Sequence, residues 1–172
     1  MFTPSIYSDW MKKVQNKKYE GILIDFLLPL HRKLDFNKMK FLDVGIGKGW
    51  FEKRLLNRGI KPIMIGIDME KDYSKIDKVK TIIGDGSTLP FKNEYFDFII
   101  SLDTLHLIRN TSEIFRVLKK DGYALISIFC NEYNAKDKRD NFLARIGDVK
   151  ILKEGIVGDP DEELSYVFLL KK

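Results

Sequence analysis

The segment Leu42-Asp43-Val44-Gly45-Ile46-Gly47-Lys48-Gly49 holds the residue types best suited to chemistry in this chain. It lies between an apolar run, Met39–Val44, and a helical pattern beginning at Lys48. Glycines there permit a tight turn and a close backbone approach by a ligand. The start of the following helix offers unpaired N–H groups to a phosphate or a carboxylate. Asp43 adds negative charge beside the turn, which suits a cationic amine better than a pyrophosphate. Asp68 ends the next apolar run, where a carboxylate can accept both hydrogen bonds of a ribose diol. Asp85 follows Ile82-Ile83-Gly84, placed to accept from an exocyclic adenine amine, while Gly86 lets a base lie against backbone. Taken alone, Asp68 or Asp85 reads equally well as a helix cap or a turn residue. Three acids at three consecutive strand ends point to one elongated adenosine ligand.

Two other nucleotide readings fail on the same residues. A dinucleotide fingerprint needs G-x-G-x-x-G, whose third glycine lets helix pack on strand. Here Trp50 takes that place, and the spacing is G-x-G-x-G. A phosphate-binding lysine loop is excluded because Gly49 is followed by Trp50-Phe51.

The elements that must position these residues alternate between strand and helix. Ile22, Leu23, Phe26, Leu27 and Leu30 form a helical stripe within Asn16–Leu34, which Pro29 should kink or end. Strands are expected at 39–44, 62–67, 79–83, 96–101 and 123–130, with helices at 48–57 and 112–118 and a short, ill-defined helix after the second strand. Thr111 or Asn110 should cap the helix at 112. Strands apolar along nearly their whole length are buried on both faces, which implies a parallel sheet covered by helices. Right-handed crossovers bring the C-terminal ends of those strands to one edge, where ligands bind. Val149–Glu154 and Ser165–Leu170 are two further strands. The polar Gly155–Glu163 stretch between them leaves no room for a helix, so the sheet should finish in an antiparallel hairpin.

Length and composition agree with one domain. A chain of 172 residues that is 44% hydrophobic, 12% aromatic and 32% charged can bury a sizeable core. Its expected parts are an N-terminal helical segment at 1–36, a ligand-binding core at 37–130, and a short cap with the hairpin at 131–172. One cysteine, Cys130, and two histidines, His31 and His106, make a metal centre or disulfide framework improbable, so no metal is expected. A reducing cytosol is the simplest compartment. No signal peptide and no membrane-spanning run is expected. The net charge of +5 comes mostly from scattered lysines. A solvated surface is the plainer account of them and a nucleic-acid face the sharper one.

Taken together, the motifs resemble the class I S-adenosylmethionine-dependent methyltransferases, in a small, minimal-cap form. The matching pieces are Phe41–Gly49, Ile65-Gly-Ile-Asp68, Gly84-Asp85-Gly86 with Leu89-Pro90-Phe91, Phe96–Ser101 and Val117–Gly122, in the family's order. The resemblance implies an α/β, Rossmann-like, seven-stranded, mostly parallel sheet whose last strand is antiparallel. It implies S-adenosyl-L-methionine as cofactor. Asp43 with Gly45, Ile46, Gly47 and Gly49 would hold the methionine part. Asp68 and its neighbour Met69 would serve the ribose, Asp85 and Gly86 the adenine, and Ser101 and Leu102 would lie beside the sulfonium. Lys48 departs from the family pattern, where a small or polar residue is common.

Methyl transfer from a sulfonium is an in-line displacement that gains most from alignment and exclusion of water. A base is needed only when the acceptor must lose a proton. His106 is the candidate base and Asp103 the candidate for orienting a substrate amine; each reads equally as a packing residue at a helix start. Tyr7 and Trp10 could form an aromatic lid or merely anchor the N-terminus. No Asn-Pro-Pro-aromatic sequence follows the fourth strand, which argues against amino methylation by the family members that use it. A small molecule, RNA or protein is admissible as acceptor, and a second copy or a partner subunit as companion. The competing expectation is a non-catalytic, cofactor-binding or scaffold subunit of a methyltransferase complex.

Overall fold

The computed structural model describes residues 4–70 and 76–172, with side chains from Asp9 onward. The short helix expected after the second strand, and the Tyr7 side chain, lie outside the described residues. In chain order the elements are α1 (Pro4–Ile22), a π-helical turn (Leu23–Leu27), α2 (Leu28–His31), β1 (Lys40–Val44), α3 (Trp50–Asn57), β2 (Ile63–Asp68), β3 (Val79–Ile83), β4 (Phe96–Leu102), α4 (Ser112–Val117), β5 (Leu118–Cys130), α5 (Ala135–Leu143), β6 (Lys150–Asp159) and β7 (Glu163–Lys171). Seven strands form one sheet in the order β3-β2-β1-β4-β5-β7-β6. The first five pair in parallel. β7 runs antiparallel between β5 and β6, so the expected hairpin closes the sheet.

Side-chain alternation splits the core across the two faces of the sheet. Leu42, Val44, Ile99, Ile126 and Phe168 point to one face and meet Ile114 and Val117 of α4 and Phe142 of α5. Phe41, Phe98, Ile100, Leu125 and Val167 point to the other and meet Ile22, Leu23 and Phe26 together with Phe51 and Leu55 of α3. Phe41 and Phe98 stack at 4.6 Å, and Phe36 packs edge-on to Phe41 at 5.2 Å. Each such side chain contributes about 1.5–3 kcal/mol by leaving water.

Five features depart from the sequence reading. The first helix begins at Pro4, not Asn16. Its buried stripe runs Val14, Lys18, Ile22, Phe26, and a lysine in the second of those places hides the pattern. Pro29 does not end the helix. It has no N–H to give the Asp25 carbonyl, the chain widens into a π-turn, and Lys153 Nζ donates to that carbonyl at 2.7 Å instead. The Asp121-Gly122 turn is a kink inside β5, with Asp121 at φ 61°, so the strand starts at Leu118. The stretch 155–159 is strand: Gly158 takes φ 124° where a Cβ would lie 2.1 Å from the Glu163 carbonyl, so a residue that reads as a breaker lets the hairpin close tightly. The helix α5 was not expected. At the start of α4, Asn110 Oδ1 accepts from Ser112 N at 3.2 Å, while Thr111 makes no side-chain cap.

Lys18 is 1% exposed. Its ammonium donates to Asp103 at the end of β4 and to Glu163 at the start of β7. Gln15 Nε2 donates to Glu163 Oε1 at 3.0 Å, and Glu20 pairs with Arg54 of α3 and with Arg58 just after it. These contacts hold α1 across one face of the sheet. Replacing Lys18 by Met leaves two carboxylates without their cation and should lower unfolding free energy by about 3–5 kcal/mol. Urea denaturation of Lys18→Met checks this, and a loss below 1 kcal/mol would refute the role assigned to the ammonium.

Candidate functional site

Because β1 to β5 run in parallel, their carboxyl ends gather at one edge. There the turn after β1 takes φ 86° at Gly45, 51° at Gly47 and 64° at Gly49. A Cβ on Gly45 would lie 2.3 Å from the Thr104 side chain, so only glycine fits at that point. The turn is pinned to β2: Gly45 N donates to the Ile67 carbonyl at 2.8 Å and Gly47 N to Asp68 Oδ2 at 2.9 Å.

Two cavities meet at Gly45. One, of about 230 Å³, is lined by Gly45–Phe51 with Asp43, Glu52 and Leu102, and by Met11, Gln15 and Tyr19 of α1. The other, of about 700 Å³, is lined by Val44, Gly45, Ile67–Glu70, Gly84–Gly86, Thr104, Leu107 and Ile108. Asp43, Ile46, Gly47, Gly49 and Leu102 thus face the first cavity, and Asp68, Met69, Asp85 and Gly86 the second. Asp68 Oδ1 also accepts from Glu70 N at 3.1 Å. Asp85 Oδ1 accepts from Ser87 N at 2.7 Å, a bond that holds its pKa below the ordinary carboxylate range. Met69 is 65% exposed at the rim.

The first cavity contains a pair of buried carboxyls. Asp43 is 4% exposed and Glu52 1%. Asp43 Oδ1 and Glu52 Oε1 find no hydrogen-bond partner, and among the described residues neither carboxyl makes a salt bridge. Burial, the Glu52 carboxyl and, more weakly, Asp68 push Asp43 well above the carboxylate range. Glu52 is raised by burial, against the opposing effect of its hydrogen bond with Asp43. Like charges this close, out of water, keep a proton between them. Tyr19, edge-on to Phe51 at 5.6 Å, is held as the neutral phenol by burial and by the surrounding carboxylates. Glu52 escapes sequence reading because an acid in the first turn of a helix is ordinary. Its only signal is a position between Phe51 and Leu55 on the buried side.

The remaining candidates sit elsewhere. Ser101 is wholly buried and lines neither cavity; its hydroxyl donates to the Val44 carbonyl at 3.0 Å and ties β4 to β1. Asp103, at φ 54°, accepts from Lys18, from Ser127 Oγ at 2.8 Å and from Ser165 Oγ at 3.0 Å, so its carboxylate is fully engaged. His106 is exposed on the 3₁₀ turn Leu105–Leu107 and lines neither cavity. Trp10 is 46% exposed and also lines neither.

Residues 42–126 match the family model described as a methyltransferase domain. The chain belongs to the class I S-adenosylmethionine-dependent methyltransferase family. S-adenosylmethionine is the cofactor of that family. The chain is 33% identical over 129 residues to the uncharacterized protein MJ1123 of Methanocaldococcus jannaschii, covering 71% of this chain and 56% of that one. It spans about half the length of the curated relatives it matches. The crystal structure of a SAM-dependent methyltransferase from Aquifex aeolicus superposes with a TM-score of 0.64 at 19% identity, covering 99% of each chain. The [4+2]-cyclase SpnF superposes at 0.68 with 15% identity, covering 91% of this chain and 80% of that one. A methyltransferase fold is therefore shared by a protein of different described chemistry, and the reaction must be argued from the site. Among the described residues no helix is long and apolar enough to cross a membrane.

The carboxyl pair makes stability depend on pH. The folded state raises the pKa of both carboxyls, so it binds more protons than the unfolded chain and stability falls as pH rises. The cost is absent below about pH 4, where unfolded carboxyls are also protonated, and grows as the pair loses its proton. Glu52→Gln should therefore raise the melting temperature of the ligand-free protein, by more at pH 8 than at pH 5. Thermal melts at the two pH values check this; an equal rise at both would separate the effect from the pair's titration.

Proposed function

We propose that this chain transfers a methyl group from S-adenosylmethionine to an acceptor that reaches the junction of the two cavities near Gly45 and Leu102. The supporting observation is the meeting of the cavities at Gly45, with Asp43 lining one and Asp68 and Asp85 the other. The cofactor supplies an activated methyl group on a positively charged sulfur. Asp43 and the Gly45–Gly49 turn hold its methionyl part, Asp68 its ribose hydroxyls, and Asp85 with Gly86 its adenine. The buried Asp43 Oδ1 without a partner fits a cationic group, and the glycine turn leaves backbone open to a ligand.

The chain's contribution is alignment and dryness. Leu102, Phe51 and the α1 residues Met11 and Tyr19 bound the methionyl cavity and limit water there. No histidine lines either cavity, so an acceptor that is already nucleophilic suits the site better than one needing a base. Lys18, Ser127 and Ser165 fix Asp103, and through it the backbone leading from β4 to Thr104, which borders the nucleoside cavity. We assign Asp103 this positioning role and give His106 none. The acceptor, a small molecule, RNA or protein, meets the site in the cytoplasm.

Calorimetry with S-adenosylmethionine and S-adenosylhomocysteine tests cofactor binding. Asp68→Ala should weaken it by about 1–3 kcal/mol through loss of hydrogen bonds to the carboxylate. Incubation of lysate with tritiated cofactor, then nuclease or protease digestion, reads the acceptor class. Absence of heat at millimolar ligand would remove the proposal.

A further inference from the structure

Two carboxylate pairs flank α1, one half-buried and one buried, and they are not alike. Asp103 and Glu163 have an ammonium between them, Lys18, supplied by the protein. Asp43 and Glu52 have none, and each keeps an oxygen without a partner. Leaving a buried carboxylate oxygen unpaired costs free energy that a bound cation would recover. Both groups line the cavity that the proposed function assigns to the methionyl end of the cofactor. We propose that Asp43 and Glu52 form a two-carboxylate seat for the α-ammonium group of that end, with Glu52 as a second recognition residue. The inference rests on the proposed function and adds to it a reader of the amine.

Seating an ammonium between the carboxyls is coupled to their shared proton. That proton bridges the two oxygens in the free protein; the incoming N–H donors replace it, and it passes to solvent as the ammonium enters. Other charged or titratable groups face the pair. Asp68, on β2, adds negative potential. Tyr19, on α1, stays a neutral phenol. Lys48, in the turn, borders the same cavity. The Asp68 potential favours either positive charge in the seat, proton or ammonium, and Tyr19 adds no charge of its own.

The test compares S-adenosylhomocysteine, which carries the amine, with 5′-methylthioadenosine, which does not. Glu52→Gln should weaken the first about tenfold, as for one charge-assisted hydrogen bond, and leave the second within about twofold. Wild-type affinity for S-adenosylhomocysteine should rise from pH 5 to pH 7.5, while that for 5′-methylthioadenosine stays level. Where 5′-methylthioadenosine binds too weakly to read, the pH profile of S-adenosylhomocysteine on wild type and Glu52→Gln decides: a rise lost in the variant supports the seat, and an identical rise overturns it. Equal effects of Glu52→Gln on both ligands, or none on either, also overturn it. If neither ligand binds the wild type, the proposed function itself falls; if both bind without discrimination, only the seat does.

Discussion

A single buried ammonium decides how the ligand-binding edge is built. Lys18 leaves water almost completely, and the two carboxylates it meets lie far from it and from each other along the chain, Asp103 after β4 and Glu163 at the head of β7. Three elements that share little sequence locality are thereby fixed to one point. The cost of burying the lysine is offset only if both acids are present and hydrogen-bonded. Ser127, Ser165 and Gln15 complete that bonding. Asp103 is held with φ at 54° as a consequence, a conformation that persists because its surroundings over-determine it. The positions of α1 over the cavity at Asp43 and of Thr104 beside Gly45 both follow from this knot.

The glycine turn works by the opposite means, through space left empty. Thr104 fills the volume a Cβ on Gly45 would need, and the turn's amides are held to β2 by the Ile67 carbonyl and Asp68. A backbone fixed in this way presents its open face to two cavities at once. The parallel sheet supplies the rest: strand ends at one edge bring Asp43, Asp68 and Asp85 together although they are distant in sequence. Family membership is thus expressed in backbone geometry as much as in side chains, which is why relatives of low identity retain the fold.

What sequence reading recovers follows from which signals are local. Apolar runs bounded by turns located the strands of the parallel sheet because burial on both faces leaves an unbroken signature, as in Phe96–Ser101. The three aspartates were legible because a strand end is a position one can count to. Lys18 was not: nothing in a single sequence says that a lysine in an apolar stripe will find Asp103 and Glu163 far along the chain. Glu52 was hidden for the related reason that its burial depends on Asp43 and α1. Ser101 and His106 show the converse case. The resemblance put Ser101 at the site and residue type put His106 there, yet the first makes a strand-to-strand bond and the second is exposed and lines neither cavity. The helix α5 was missed because its apolar content is slight; Phe142 and Ala135 are its buried residues.

That helix bears on how an acceptor approaches. Phe142 packs against Phe168 at 4.7 Å, and Ala135 joins Cys130 and Leu164, so the segment between β5 and β6 is spent on the sheet face away from α1 and borders neither cavity. Cover over the cavity at Asp43 and Glu52 comes from α1, through Met11, Gln15 and Tyr19. The lysine that fixes α1 is therefore also the group that sets how closed the site is. Alignment of a methyl group demands exclusion of water at the reacting centre, and here that demand falls on one helix held by a charge network. A chain built this way couples shielding of the cofactor to the integrity of a buried ion cluster, with the acceptor free to complete the enclosure on the side that the protein leaves open.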